Sequence, residues 1–269
     1  MSSAAKTLDL LSYFSTTRPE IGLSELCGLA GRDKATTYRH LQVLQEAGFL
    51  EQSPESRRYR LGPAVLRLAH TREKTVPRKS SAMPTLVWLA AETGETAHVS
   101  ILSGNVLYPL AAAESDQHST RAIIDIEAFP LHATASGLCA LAFGPADLMD
   151  AALRDMARFT RRTITDPHIL SQTVAEARGA GFGRTDRSFD DDIHSLAAPL
   201  FDQSGGFAGS ISVASVATRL TPEKDHRIRH DLARAARKIT RNWGGVIPDH
   251  VAAGWARDAQ NSIALETAS

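Results

Sequence analysis

Two sets of residues in this 269-residue chain have types and spacing that could do chemistry. The first lies between Lys34 and Val43. At 100° per residue, Ala35, Thr36, Arg39, Gln42 and Val43 share one side of a helix, with Lys34 at its start and His40 on its flank. A cation, hydroxyls, an amide and small side chains are the types that meet phosphates and base edges in a DNA major groove. The same types also make an ordinary solvated face, so the neighbouring elements decide. Thr37 joins these candidates, although it falls on the apolar side with Leu41, Leu44 and Gly48. The second set is Thr134-Ala135-Ser136. Thr134 caps a short helix, and Ser136 sits at its start, where unpaired backbone N–H groups and the helix dipole favour an anion. A carboxylate-bearing ligand would be held there without catalysis.

Other clusters promise less. Asp190-Asp191-Asp192 lacks the glycine and distal glutamate of a calcium loop and suits a solvated turn. His226 and His230 stand four apart without the adjacent glutamate of a zinc-protease helix, amid Arg227 and Arg229, and suit a surface. Neither a resident metal nor a cofactor is expected. There is no GxSxG elbow, phosphate loop or dinucleotide fingerprint. A spatial triad of Ser136, His132 and a distant aspartate is the remaining enzymatic alternative, acting on a small organic acid.

These residues need elements to hold them. Asp33 is an N-cap for the helix that carries Arg39. Before it, Ser24 to Arg32 predicts a short helix capped by Ser24, with Leu26, Leu29 and Ala30 inward and a tight turn at Gly31. After it, residues 49–52, 53–56 and 57–61 predict strand, turn and strand. A basic hairpin behind the second helix makes a winged helix-turn-helix, with Arg57, Arg58 and Arg60 on or beside the duplex backbone. A first helix over 4–15 supplies Leu8, Leu11 and Tyr13-Phe14. Pro63 opens a further helix over 62–74, with Val65, Leu66 and Ala69 on one side, and its position suits a connector.

The second part predicts a helix over 81–93 and a hairpin of strands 96–102 and 106–112. The Thr134 helix then ends at Phe143, a second runs to about Phe159, and Pro167 opens another to Ala180. Strands at 196–201 and 206–214 follow, then a helix from Thr221-Pro222 to about Trp243. Hairpin-paired strands flanked by helices make an α+β sensor with an antiparallel sheet. The Ala-rich tail from Pro248 is expected to be a loose appendage despite Trp255. The predicted domains are 4–61, 62–75 as linker helix, 76–247, and the tail 248–269.

Net charge is zero overall, but residues 1–75 carry 11 Lys or Arg against 8 Asp or Glu, and the remainder 19 against 22. A mildly basic front on a mildly acidic body suits a nucleic-acid-reading domain on a sensor. Cys27 and Cys139 form no CxxC pair, which argues against a disulfide framework or zinc site. The N-terminus lacks a signal-peptide layout and no apolar run approaches membrane length, so a cytoplasmic location is expected.

The run GLSELCGLAGRDKATTYRHLQVLQEAGFLEQ, with RYRLG at Arg58 to Gly62, resembles the N-terminal domain of the IclR family of bacterial transcriptional regulators. LHATASGLCALA, GAGFGRTDRSFDDDIHSLAAPLFD and FAGSISVASVATRLT resemble that family's effector-binding domain, in order. The resemblance implies a winged helix-turn-helix joined by a linker helix to a GAF-like domain. It further implies a homodimer or homotetramer, double-stranded DNA with a palindromic operator as partner, and a small-molecule effector. Carrying the family's ligand contacts over points to Ala135, Ser136, Asp186, Ile193, Ser195, Ser212 and Ala214, with His118 and Arg121 near two further positions. Two cationic candidates favour an organic acid; Asp186 favours one that also bears a hydroxyl.

Overall fold

The computed structural model describes residues 2–15 and 17–266, with backbone alone over 259–266. Its contacts divide into two compact units after Pro77. In the first, α1 (Ser3–Asp9) runs into a 3-10 turn at Leu10–Tyr13. Helix α2 (Leu23–Ala30) is capped by Gly22, two residues before the Ser24 cap that the sequence suggests. It buries Leu26, while Leu29 is 39% exposed rather than inward. Gly31, at φ +60°, ends α2 in the left-handed region that disfavours side chains with a Cβ. Helix α3 (Lys34–Glu46) follows, with the Asp33 carboxylate accepting from Thr36 N at 2.9 Å.

Strands β1 (Leu50–Gln52) and β2 (Tyr59–Leu61) form the antiparallel wing, and Ile21 bridges to Tyr59. Leu10, Ile21, Leu26, Leu41, Leu44, Leu50 and Tyr59 make this unit's core. Helix α4 (Pro63–Thr75) starts at Pro63 as expected, but it buries Ala64, whereas Leu66 is 75% exposed.

The second unit is built on a five-stranded antiparallel sheet in the order β4-β3-β7-β6-β5. The strands are β3 (Thr96–Ser103), β4 (Val106–Ala113), β5 (Gly183–Asp186), β6 (Ile193–Phe201) and β7 (Phe207–Val216). Strand period two sends Ala97, Val99, Leu196, Ala198, Ile211 and Val213 to one face, against α5 (Arg78–Thr93) and α9 (Pro222–Asn242). The alternate positions carry small and polar residues: His98, Ser100, Ser195, Ala197, Ser210, Ser212 and Ala214. Helix α6 (Ala135–Phe143), with α7 (Asp147–Arg154) and α8 (Pro167–Ala180) beyond, covers part of that face. Gly183 of β5 lets α6 approach, since a Cβ there would lie 2.2 Å from Ala135 O.

Three sequence expectations need correction here. Helix α7 stops at Arg154, short of Phe159. Strand β5 was not anticipated; its Gly-Arg-Thr-Asp is a weak strand former that pairing with β6 holds extended. The tail is also not a loose appendage. It forms α10 (Asp249–Glu266), with Val251 and Trp255 buried, Trp255 Nε1 donating to Gly181 O at 2.8 Å, and Arg237 stacked 4.9 Å over the indole.

Candidate functional site

On α3, Lys34, Ala35, Arg39 and Gln42 are exposed and Thr36 is half-buried. Thr37 is fully buried, its hydroxyl donating to Asp33 O at 2.9 Å, so it supports the helix and cannot reach a groove. The His40 ring lies half-buried, Nδ1 2.6 Å from Thr7 Oγ1, tying α3 to α1. Tyr38, missed from the sequence, is 44% exposed beside Lys34 and receives a hydrogen bond from Gln42 Nε2. Its i, i+4 spacing to both was the available signal. Lys34 and Tyr38 face a groove whose far wall is the wing, at Gln52, Ser56 and Arg57.

The three wing arginines divide by partner. Arg60 pairs with Glu51 at 2.6 Å, and Arg58 pairs with Glu25 and donates to Glu20 O. Arg57 has no carboxylate partner among the described residues. It holds φ +57° at the tip of the turn, where its amide donates to Ser53 O and its carbonyl accepts from Gln52 Nε2. Its guanidinium is left to solvent.

In the second unit, six of the nine ligand candidates line one cavity: Ala135, Ser136, Ile193, Ser195, Ser212 and Ala214. The cavity holds about 80 Å³ of free space. On that measure a water needs roughly 10–15 Å³, so a compact organic molecule or several waters fit. Its floor is the small-residue face of the sheet, where Ser212 pairs with both His98 and Ala197 across neighbouring strands. Ile124, Ile126, Phe129 and Phe189 make apolar walls.

One wall comes from residues 114–130, which have no regular secondary structure. This strap is pinned by Thr96 Oγ1 donating to Ala122 O at 2.6 Å and Arg219 donating to Thr120 O at 2.8 Å. Arg219 and Lys224 both close on the buried Glu95, each at 2.6 Å. Burial pushes the Glu95 carboxyl up, but the hydrogen bonds from these two cations outweigh it and hold it below the ordinary range.

The start of α6 opens into the cavity. Thr134 Oγ1 accepts from Gly137 N at 3.0 Å and donates to Pro130 O. The amides of Ala135 and Ser136, in the first turn, have no intrahelical acceptor. Ser136 Oγ lies 2.7 Å from Ser212 Oγ and 3.3 Å from His98 Nε2. His98 was not among the sequence candidates; its alternation with Ala97 and Val99 was the available signal. Its ring is 4% exposed and stacks on Phe129 at 5.1 Å between centroids. Burial pushes it down to about 4, so it is neutral at pH 7.

Three candidates lie elsewhere. Asp186 falls on the alternate side of β5 from the cavity-lining Thr185, exposed and paired with Arg162. Arg121 is engaged by Glu114 at 2.5 Å, with Asp116 at 3.9 Å. His118 sits next to Gly94, where an added Cβ would lie 3.5 Å from its Nε2. No Lys or Arg is therefore among the described lining residues, and the charged one is Asp190, whose carboxylate accepts from Asp192 N. The enzymatic triad does not assemble either. His132 Nε2 donates to Ala157 O at 2.8 Å, away from Ser136, and His98 Nδ1 has no carboxylate to orient it.

Residues 3–54 match the IclR helix-turn-helix domain, and residues 74–241 match the family described as bacterial transcriptional regulator IclR C-terminal. The glycerol operon regulatory protein of Streptomyces coelicolor is 30% identical over 244 residues, spanning 89% of this chain and 93% of the relative. A crystal structure of an IclR transcriptional regulator from Silicibacter sp. TM1040 is 39% identical, with a TM-score of 0.89 over 93% of this chain and 99% of that one. An IclR homologue from Microbacterium hydrocarbonoxydans, complexed with 4-hydroxybenzoate, shares the fold at 21% identity and a TM-score of 0.71, over 90% of this chain and 99% of that one. No described helix is long and apolar enough to cross a membrane. With both of its units matched in order, this chain belongs to the IclR family, DNA-binding transcriptional regulators rather than enzymes.

Proposed function

We propose that this regulator binds a small, apolar-bodied monocarboxylate in the cavity at the start of α6, and that binding alters its affinity for a two-fold DNA operator. One observation carries this reading. A helix start whose first amides lack intrahelical acceptors meets the hydroxyls of Ser136 and Ser212 inside apolar walls with no Lys or Arg among the described lining residues. A single carboxylate suits that donor set. A second would find no cation and would approach Asp190, whereas a ligand hydroxyl could donate to it. Arg121 and His118, which the sequence offered as added charge beside that helix terminus, are not among the described lining residues, so the terminus acts on the acid without them. The 4-hydroxybenzoate complex of the Microbacterium homologue is a hydroxylated monocarboxylate of this kind.

On the DNA side, Lys34, Ala35, Thr36, Arg39 and Gln42 meet base edges and phosphates, and Arg57 meets the duplex backbone. One recognition helix contacts only a few base pairs, so the working form is a dimer or a pair of dimers in the cytoplasm. Coupling requires the ligand to favour one conformation over another, typically by 1–3 kcal/mol. The target we infer is a catabolic operon beside the regulator's own gene.

A gel shift of the full chain on the adjacent intergenic DNA, with and without benzoate or 4-hydroxybenzoate, tests the reading, with calorimetry for the acids. A two-fold footprint and acid-dependent affinity are expected. Binding of neutral or cationic analogues only would overturn the ligand class. A monomer protecting a single half-site would overturn the assembly.

A further inference from the structure

The cavity must attract an anion without a cation in its wall, and the hydrogen-bond chain beneath it bears on how. His98 is neutral, so its imidazole carries one N–H. Nε2 lies 3.3 Å from Ser136 Oγ, and Ser136 Oγ lies 2.7 Å from Ser212 Oγ. Nδ1 is buried and has no hydrogen-bond partner among the described residues.

The proton can sit on either nitrogen, and the two choices differ in what they leave unsatisfied. With the proton on Nδ1, a buried N–H is orphaned, which folded proteins rarely tolerate. The chain then runs backwards, from Ser212 to Ser136 to Nε2, and Ser212 offers the cavity only lone pairs. With the proton on Nε2, the buried cost is one bare lone pair, which is smaller. His98 then donates to Ser136, whose own hydrogen, no longer claimed by Nε2, is free to go to Ser212. The Ser212 hydroxyl hydrogen is left over, on a residue that lines the cavity.

We infer that His98 is a positioning residue, which fixes the direction of the His98–Ser136–Ser212 chain so that Ser212 presents a hydrogen-bond donor to the ligand's carboxylate. This rests on the proposal that the cavity holds a carboxylate, but the direction of the chain belongs to the unliganded protein. The stack of Phe129 on the imidazole holds the ring in place, and the strand register sets His98 directly opposite Ser212. Donors from Ser212 and from the α6 amides then converge, and ligands headed by an acceptor oxygen are preferred to ammonium-headed ones.

Nitrogen-15 spectra of the imidazoles in the unliganded full chain read the direction, with His98 assigned by the loss of its signals in His98→Gln. The expected result is a neutral ring protonated on Nε2 at pH 7. Protonation on Nδ1, or an imidazolium, overturns the inference whether or not any acid binds. Calorimetry with benzoate, benzamide and benzylamine reads the consequence. His98→Gln, which can still donate to Ser136, should keep benzoate affinity within about threefold, and His98→Phe should lose roughly tenfold. Equal benzoate affinity in the parent and in a folded His98→Phe protein would overturn it. Failure of the parent to bind benzoate, with the Nε2 signature present, would count against the proposed ligand and leave the chain's direction standing.

Discussion

Arg58 of the wing reaches back to Glu25 of α2, Nη2 lying 3.0 Å from Oε2, and the same nitrogen donates to Glu20 O at 2.7 Å. The guanidinium thus holds β2 against the helix-turn-helix, and the proposed phosphate contact is assigned to Arg57, which has no carboxylate partner among the described residues. Arg57→Ala should weaken binding across DNA sequences and lower the salt slope of log affinity by about 1. Arg58→Ala should leave that slope unchanged and lower stability slightly, since an exposed pair contributes about 0–1 kcal/mol. Salt titrations of both variants on operator and random DNA check this; a smaller slope for Arg58→Ala than for Arg57→Ala would reverse the assignment.

Arg39 projects from the exposed side of α3 with no ion pair among the described residues. Its replacement by alanine should cost roughly 1–3 kcal/mol on the operator and little on random DNA, with melting unchanged. Equal operator affinity in parent and variant would show that this side of α3 does not face the bases.

Acid should destabilise the second unit through its buried histidines. Burial lowers His98 from 6.5 to about 4. His194 is lowered as well, by burial first and then by the charge of Arg184. The unfolded chain therefore takes up protons below about pH 6.5 that the folded chain refuses. The stability these neutral rings confer is complete above pH 6.5 and falls as pH drops towards 4. For His98 the loss reaches roughly 3 kcal/mol. Denaturant unfolding of the parent and of His98→Gln between pH 7 and 4 should show the steeper decline in the parent; parallel curves would contradict it.

Trp255 should prove to be part of the core. Trp255→Ala removes an indole that is 3% exposed and packs near Phe182 at 6.1 Å between centroids. The expected cost is about 3–5 kcal/mol, measured by chemical denaturation. A change below about 0.5 kcal/mol would mean that α10 contributes nothing to the unit.

How much of this was legible in the sequence depended on local signals. Asp33 and the three- and four-residue steps of Thr37, Leu41 and Leu44 fixed α3, because cap and periodicity agree there. Thr134 announced α6 in the same way, with Ala135 and Ser136 at its start. Arg121 and His118 were misplaced because residues 114–130 follow no period, so nothing local sets which side chains turn inward. His98 escaped because one histidine in an apolar strand looks like core; only the pairing with Ser212, 114 positions away, gives it neighbours to act on. The α10 helix hid in an Ala-rich stretch, although Val251 and Trp255, four apart, are the side chains that anchor it.

The ion pairs of Arg219 and Lys224 with the buried Glu95 make the second unit respond to ionic strength differently from the DNA contacts of the first. DNA contacts made through exposed cations weaken steeply as salt rises, because they release counterions. The Glu95 pairs are screened much less, because Glu95 is fully buried although Arg219 and Lys224 are partly exposed, and they anchor the strap that walls the cavity. Raising salt should therefore strip the protein from its operator while the cavity keeps its shape. Ligand affinity can then be measured on the undocked protein without changing a residue.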